Sequence, residues 1–348
     1  MLQKCLEDLE KRINPDAEEK LMNEWIAFCD GHFNEPLFSP KRTDTSPSSF
    51  EWPKTTNNEA LSSYEKMALQ QLAVCSQALK DGNGLLMCVR ANYGVGILPS
   101  VFGASIHVME DKLDLLPTSV PFHSTEHLIE LVKKGRPELS RYYGKNVFEM
   151  GDFYKQLFAP YPNIRRYVHV YHPDLQGPLN LCELLWGSEL FTEVYLNPEW
   201  VKASLDLITD TYIAFLKKWF ELFPPTGKHA VHWGWLHKGT VMLRDDSATN
   251  FSGDMFDEFA RPYNQRILNE FGGGAIHFCG KGNHLLDRIS TLHKLYSINV
   301  SQPHLNNLDI LIKNTVDKGL SLLGLNSEAA EQVLSKRKVN GLIHCVEE

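Results

Sequence analysis

Gly272-Gly273-Gly274-Ala275-Ile276-His277-Phe278-Cys279-Gly280 is the stretch on which the reading of this chain turns. Ala275 to Cys279 has the character of a short buried strand that follows a helical pattern and runs into a glycine-containing loop. Side chains two apart on a strand lie on the same side, so His277 and Cys279 project together from its C-terminal end. Imidazole with thiolate is a zinc-favouring donor pair. A second strand of this kind is Gly341-Leu342-Ile343-His344-Cys345-Val346. If the two strands end at one rim of a barrel, His277, Cys279 and Cys345 make a three-ligand metal site with a fourth position open to substrate. H-x-C alone is a weak motif, because a His or Cys on an apolar strand is more often a packing residue.

Outward from that stretch, strand and helix patterns alternate. Strands are expected at Leu85–Arg90, Ser105–Val108, Arg166–His172, Thr240–Asp246, Ala275–Cys279, Tyr296–Ser301, Leu320–Leu325 and Gly341–Val346. Helical periodicity fills most of the gaps, including the long run 198–222, and Ser252 can cap a helix that Pro262 should kink. Eight strands separated by helices imply parallel pairing and an α/β (β/α)8 TIM barrel over residues 85–348. An open doubly wound sheet is the alternative, but no Gly-rich nucleotide motif follows a strand. Residues 1–84 read as an N-terminal helical extension. Two helices flank Pro15, a loop or lid covers 32–57, and a helix runs over 58–80 to the stop signal Asp81-Gly82-Asn83-Gly84.

Composition limits the partners. The 348 residues carry a net charge of -8 with no basic run, which argues against nucleic acid and anionic membranes. No apolar run approaches the ~18 residues of a membrane span, and the charged start of the chain lacks a signal-peptide core. Seven scattered cysteines do not suggest a disulfide framework, so a reduced, cytoplasmic protein is expected.

In a barrel of this type, reactive groups belong at the strand C-termini. Polar residues collect there: Asn92 and Tyr93; His172, Asp174 and Gln176; Asp245 and Asp246; His277 and Cys279; Asn299, Ser301 and Gln302; His344 and Cys345. Asn92, Tyr93, His172 and Gln176 are candidates for lining a substrate pocket. Asp245 and Asp246 are candidates for the catalytic machinery, supplying a hydrogen bond behind the ligands or an oxygen ligand. Capping of the following segment is their structural alternative. His229, His232 and His237 also have ligand-like spacing, but the aromatic segment Val231-His232-Trp233-Gly234-Trp235 looks more like an inserted loop or flap than a metal site.

Asp174-Leu175-Gln176-Gly177-Pro178, Asp245-Asp246-Ser247-Ala248-Thr249, Phe256-Asp257-Glu258-Phe259, Arg261-Pro262-Tyr263 and His277-Phe278-Cys279-Gly280 occur in an order that resembles the uroporphyrinogen decarboxylase superfamily, over roughly residues 85–346. The resemblance implies a (β/α)8 barrel. Its metal-free decarboxylase branch carries an Arg-Gln-Ala-Gly-Arg-type motif after the first strand; this chain has Arg90-Ala91-Asn92-Tyr93-Gly94 there, which departs from it. It is more similar to the zinc-dependent methyltransferases that work with a corrinoid protein.

That resemblance implies zinc on His277, Cys279 and Cys345, with His344 as an alternative third ligand. It also implies transfer of a methyl group between methylcobalamin on a corrinoid partner and a small-molecule thiol. Dimers are common in the superfamily, so a homodimer is compatible with it. Two other readings remain: decarboxylation of a polycarboxylate, for which Arg90, Arg165, Arg166 and Arg244 are the basic candidates, and a non-catalytic barrel that binds a tetrapyrrole or corrinoid.

Overall fold

The computed structural model describes residues 1–339 and 341–346; positions 347 and 348, at the end of the expected barrel region, lie outside the described residues. In chain order the strands are β1 (Cys88–Val89), β2 (Ile106–His107), β3 (Thr118–Ser119), β4 (His169–Val170), β5 (His229–His232), β6 (Trp235–Lys238), β7 (Val241–Arg244), β8 (Gly274–Phe278), β9 (Leu295–Val300), β10 (Ser321–Asn326) and β11 (Ile343–Val346). The fold is mixed α/β. β7 to β11 form a five-stranded parallel sheet in the order β11-β10-β9-β8-β7, and β1 pairs in parallel with β4.

Seven of the eight expected strands therefore join parallel pairs. The exception is Ser105–Val108. Its Ile106 and His107 pair antiparallel with Thr118 and Ser119 in a separate ribbon.

Helices cover one face of the sheet. Val241, Leu243, Ile276, Phe278, Ile298, Val300, Leu322 and Ile343 point into that helical layer. The alternate residues Met242, Ala275 and Leu323 point the other way, where they pack with Trp25, Phe28, Val231 and Leu236. This inner face is thus filled by the helix Pro15–Cys29 and by the β5–β6 hairpin. The segment expected as a flap is a buried antiparallel hairpin, with Ala230 opposite His237 and His232 opposite Trp235.

The N-terminal region is tied into this arrangement. Pro15 opens a helix rather than merely interrupting one: Asn14 caps it by accepting from Asp16 N at 3.1 Å. The segment 32–57 is irregular, but its buried Phe38 acts as a short strand. Phe38 N donates to Ile343 O at 2.8 Å and Phe38 O accepts from Cys345 N at 2.9 Å, which covers the free edge of β11. Arg42 grips both oxygens of buried Glu18, at 2.6 and 2.9 Å, and donates to Asn83 O. Pro262 breaks a helix instead of kinking it. Its missing N–H falls in the first turn of Arg261–Glu270, after the helix Gly253–Phe259 has ended.

The other edge of the sheet has an unusual solution. Odd residues of β7 bond to β8, so the N–H and C=O groups of Met242 and Arg244 face β4. β4 does not reach them. Met242 N donates instead to His172 Nε2 at 3.1 Å, and Arg244 O accepts from Gly177 N at 2.7 Å. His172 Nδ1 donates to Pro173 O at 2.8 Å, leaving Nε2 as the acceptor. Burial, then the neighbouring Arg244 charge, lowers its pKa to about 3, so the ring is neutral. His172 is a side-chain substitute for a missing rung of the ladder. Replacing it with Ala should leave Met242 N unpaired and cost roughly 1–3 kcal/mol in urea denaturation. A loss below about 0.5 kcal/mol, the level of an inert surface change, would contradict this role.

Among the described residues, no helix is long and apolar enough to cross a membrane.

Candidate metal centre

β7, β8 and β9 end side by side. Arg244 lies opposite His277, and His277 opposite Asn299. Two residues further along, just past the strand ends, come Asp246, Cys279 and Ser301, drawn together as Cys279 N donates to Asp246 Oδ1 and Ser301 Oγ donates to Cys279 Sγ. Three i, i+2 pairs therefore meet at one rim.

The glycines ahead of β8 permit this. A Cβ on Gly273 would collide with Lys294 O and one on Gly274 with Val241 O, so the backbones approach closely only without side chains.

The result is a compact donor cluster. Ligand atoms of Asp246, His277 and Cys279 all lie within 4.8 Å of one another. Cys279 Sγ is 3.4 Å from His277 Nε2, and Asp246 Oδ1 is 3.8 Å from that nitrogen. A tetrahedral zinc with usual bond lengths would hold sulfur and nitrogen about 3.5 Å apart. The three donors thus fit a zinc ion, and the cluster is only partly buried.

The surroundings fix the imidazole for this task. Asn299 Nδ2 donates to Leu323 O at 2.7 Å, so its Oδ1 is the acceptor toward His277 Nδ1 at 2.5 Å. The proton is thereby placed on Nδ1, and the Nε2 lone pair faces the thiol and carboxylate. Burial lowers the pKa of His277, opposed by Asn299 and Asp246. Burial raises that of the Cys279 thiol, while the hydroxyl of Ser301, donating to Sγ at 3.0 Å, acts in the opposite direction. A bound divalent cation would favour the thiolate. Asp246 Oδ1 also accepts from Cys279 N at 2.6 Å, which aligns the ends of β7 and β8.

Trp233 packs beside His277. It sits at the tip of the β5–β6 hairpin with φ +53, a left-handed conformation unusual for a large residue, followed by Gly234 at φ +83. Its ring meets that of His277 edge-on at 71°, centroids 5.0 Å apart, with the Arg244 guanidinium 4.7 Å from its centroid. Arg244 also pairs with Asp174, which pairs with Arg90 at 2.5 Å. Two of the four arginines considered for a polycarboxylate are therefore engaged by one carboxylate. Arg165 and Arg166 line a different cavity.

The structure does not bring Cys345 to the cluster. Ile343 and Cys345 lie in the helix-side core, with Cys345 Sγ 3.9 Å from Ser327 Oγ, so alternation turns the thiol away from the face that carries His277. His344 is on the inner face but is held among Trp25, Phe28, Phe38 and Trp235. Its Nδ1 accepts from Gly324 N, and burial lowers its pKa to about 3. Asp246, one of the two acidic candidates, occupies the third place.

The remaining candidates lie elsewhere. Asp245 faces the helical layer, where Oδ2 accepts from Asn264 Nδ2 at 2.6 Å. Tyr93 is buried against Tyr143, and Asn92 is 6% exposed. Gln176 accepts from Asn180 Nδ2 at 3.0 Å. Among the described residues, no hydrogen bond joins Asn92, Tyr93, His172 or Gln176 to the cluster. Asn299 and Ser301 stood among the strand-end polar residues in the sequence, but their roles depend on pairing with β8. Trp233 carried no legible signal beyond the aromatic character of its segment.

No family model and no curated protein matches the sequence. Among solved structures, the chain is similar to a methyltransferase from Methanosarcina mazei, with a TM-score of 0.63 and 16% identity, over 94% of this chain and 92% of that one. At this identity the similarity is one of fold.

Asp245 gives a stability test separate from metal binding. Burial raises its pKa from 3.8 to about 6, Asn264 opposes the rise and Asp246 adds to it. Its Oδ1 has no hydrogen-bond partner. The folded state holds the proton more tightly than the unfolded state, so its contribution to stability is full below pH 3.8 and lost as pH rises through about 6. Asp245→Asn should therefore be more stable than the parent at pH 8, by about 1–3 kcal/mol, with no gain near pH 4. Equal thermal midpoints at pH 8 would refute this.

Proposed function

We propose that this protein is a zinc-dependent methyltransferase whose metal is held by Asp246, His277 and Cys279, and that it transfers a methyl group between a corrinoid protein and a small thiol. The observation that carries the reading is the cluster itself: an oriented imidazole, a thiol and a carboxylate at the rim of a parallel sheet. The fold shared with the Methanosarcina mazei methyltransferase supports it. We read β1, β4 and β7 to β11, with the Phe38 segment between β11 and β1, as the staves of a (β/α)8 barrel whose β4–β7 seam is closed by His172 and Gly177. The metal centre then stands at the C-terminal mouth, where such folds carry chemistry.

Zinc in this site would lower the pKa of a substrate thiol and keep it a nucleophile near neutral pH. Asn299 holds the His277 proton on Nδ1, and Ser301 donates to the Cys279 sulfur. Trp233 packs against the His277 ring. A corrinoid on the partner would supply the methyl group as a methyl cation equivalent and keep the bonding electron pair, while the acceptor sulfur would form the new bond to carbon. The corrinoid belongs to the partner, and the partner docks at the same mouth.

Protein purified without added metal should contain about one zinc per chain by mass spectrometry. His277→Ala and Cys279→Ser should lose it, and Cys345→Ser should keep it. Asn299→Ala should weaken zinc binding roughly 10–100-fold. Zinc absent from the parent, or lost in Cys345→Ser, would overturn this ligand set.

A further inference from the structure

A cavity of about 870 Å3 opens on the side of the molecule where β4 and β7 fail to pair. Its walls come from the helices Pro15–Cys29, Tyr143–Phe158 and Pro162–Tyr167, the C-terminal end of Pro198–Leu222, β4 and the base of the β5–β6 hairpin. None of Asp246, His277 or Cys279 lines it. Its size suits a ligand of cofactor dimensions.

The lining has two chemical features. Aromatic walls include Tyr171, Trp219, Phe220 and Phe223. Two exposed cations, Lys155 and Arg165, form no ion pair or hydrogen bond among the described residues, whereas the adjacent Arg166 is paired with Glu19 at 2.6 Å.

We propose that this cavity is a second ligand site, separate from the metal centre, for an amphipathic organic anion with an aromatic body and one acidic group. The body lies between the aromatic walls. The acidic group is met by Lys155 and Arg165, in a chain whose overall charge of -8 otherwise repels anions.

The test is a fluorescence titration of the full chain with 8-anilinonaphthalene-1-sulfonate, which has an aromatic body and a sulfonate. The proposal expects saturable binding of one probe per folded chain. Lys155→Glu with Arg165→Glu should weaken it about tenfold. Ala230→Trp, which puts an indole on a lining position, should abolish it. Cys279→Ser should leave it unchanged. Circular dichroism checks that each variant is folded, and the exposed charge pair keeps the test decisive if Ala230→Trp does not fold. No saturable binding, binding indifferent to the charge reversal, or binding lost in Cys279→Ser would each overturn the proposal. Because zinc content plays no part in the readout, failure here and failure of the metal centre are distinguishable.

Discussion

The common height of β7, β8 and β9 is the constraint on which the candidate site depends. Parallel pairing sets Arg244, His277 and Asn299 in one row, and the residues two further along, Asp246, Cys279 and Ser301, in a second. Each strand supplies one member of each row. A shift of one residue in any strand would send its pair to the helical side, where Asp245 and Cys345 lie. The same register joins His277 to Asn299, and through it to Leu323 on β10. The orientation of one imidazole is thus set by backbone pairing across three strands.

What fills the inner face is the second determinant. The β5–β6 hairpin and the helix Pro15–Cys29 occupy space that side chains alone do not fill. Gly324 makes room for this, since a Cβ there would lie 2.7 Å from the Trp235 ring. The hairpin's tip carries Trp233 up to His277, while its base borders the large cavity. Its presence between β4 and β7 in sequence accompanies the break in pairing between them, and His172 and Gly177 supply the missing hydrogen bonds. Asp174, between Arg90 and Arg244, links β1 to β7 above this gap. The polar residues at this seam act chiefly to complete the backbone ladder and to neutralise one another.

Much of the parallel α/β architecture was legible in periodicity, because buried strands and amphipathic helices have different repeats. Seven strands and the helix Pro198–Leu222 fell where apolar runs placed them. The Ser105–Val108 segment did not join the parallel strands, since a short apolar run does not state its partner. Phe38 was hidden within a loop-like composition, and its role comes from the exposed edge of β11. For the site, His277 and Cys279 were visible as an i, i+2 pair. Cys345 was drawn in by its position near the strand end, but alternation from Ile343 turns it to the other face. Asn299 and Trp233 depend on long-range pairing, to which local spacing is blind.

The most direct test of the ligand set is zinc K-edge X-ray absorption on zinc-loaded protein. A centre held by Asp246, His277 and Cys279 has one sulfur at about 2.3 Å, with the remaining neighbours nitrogen or oxygen at roughly 2.0–2.2 Å. Two sulfurs in the first shell without added thiol would contradict the account. Cys345 would then have to reach the inner face, and the strand register described above would not be that of the metal-bound protein.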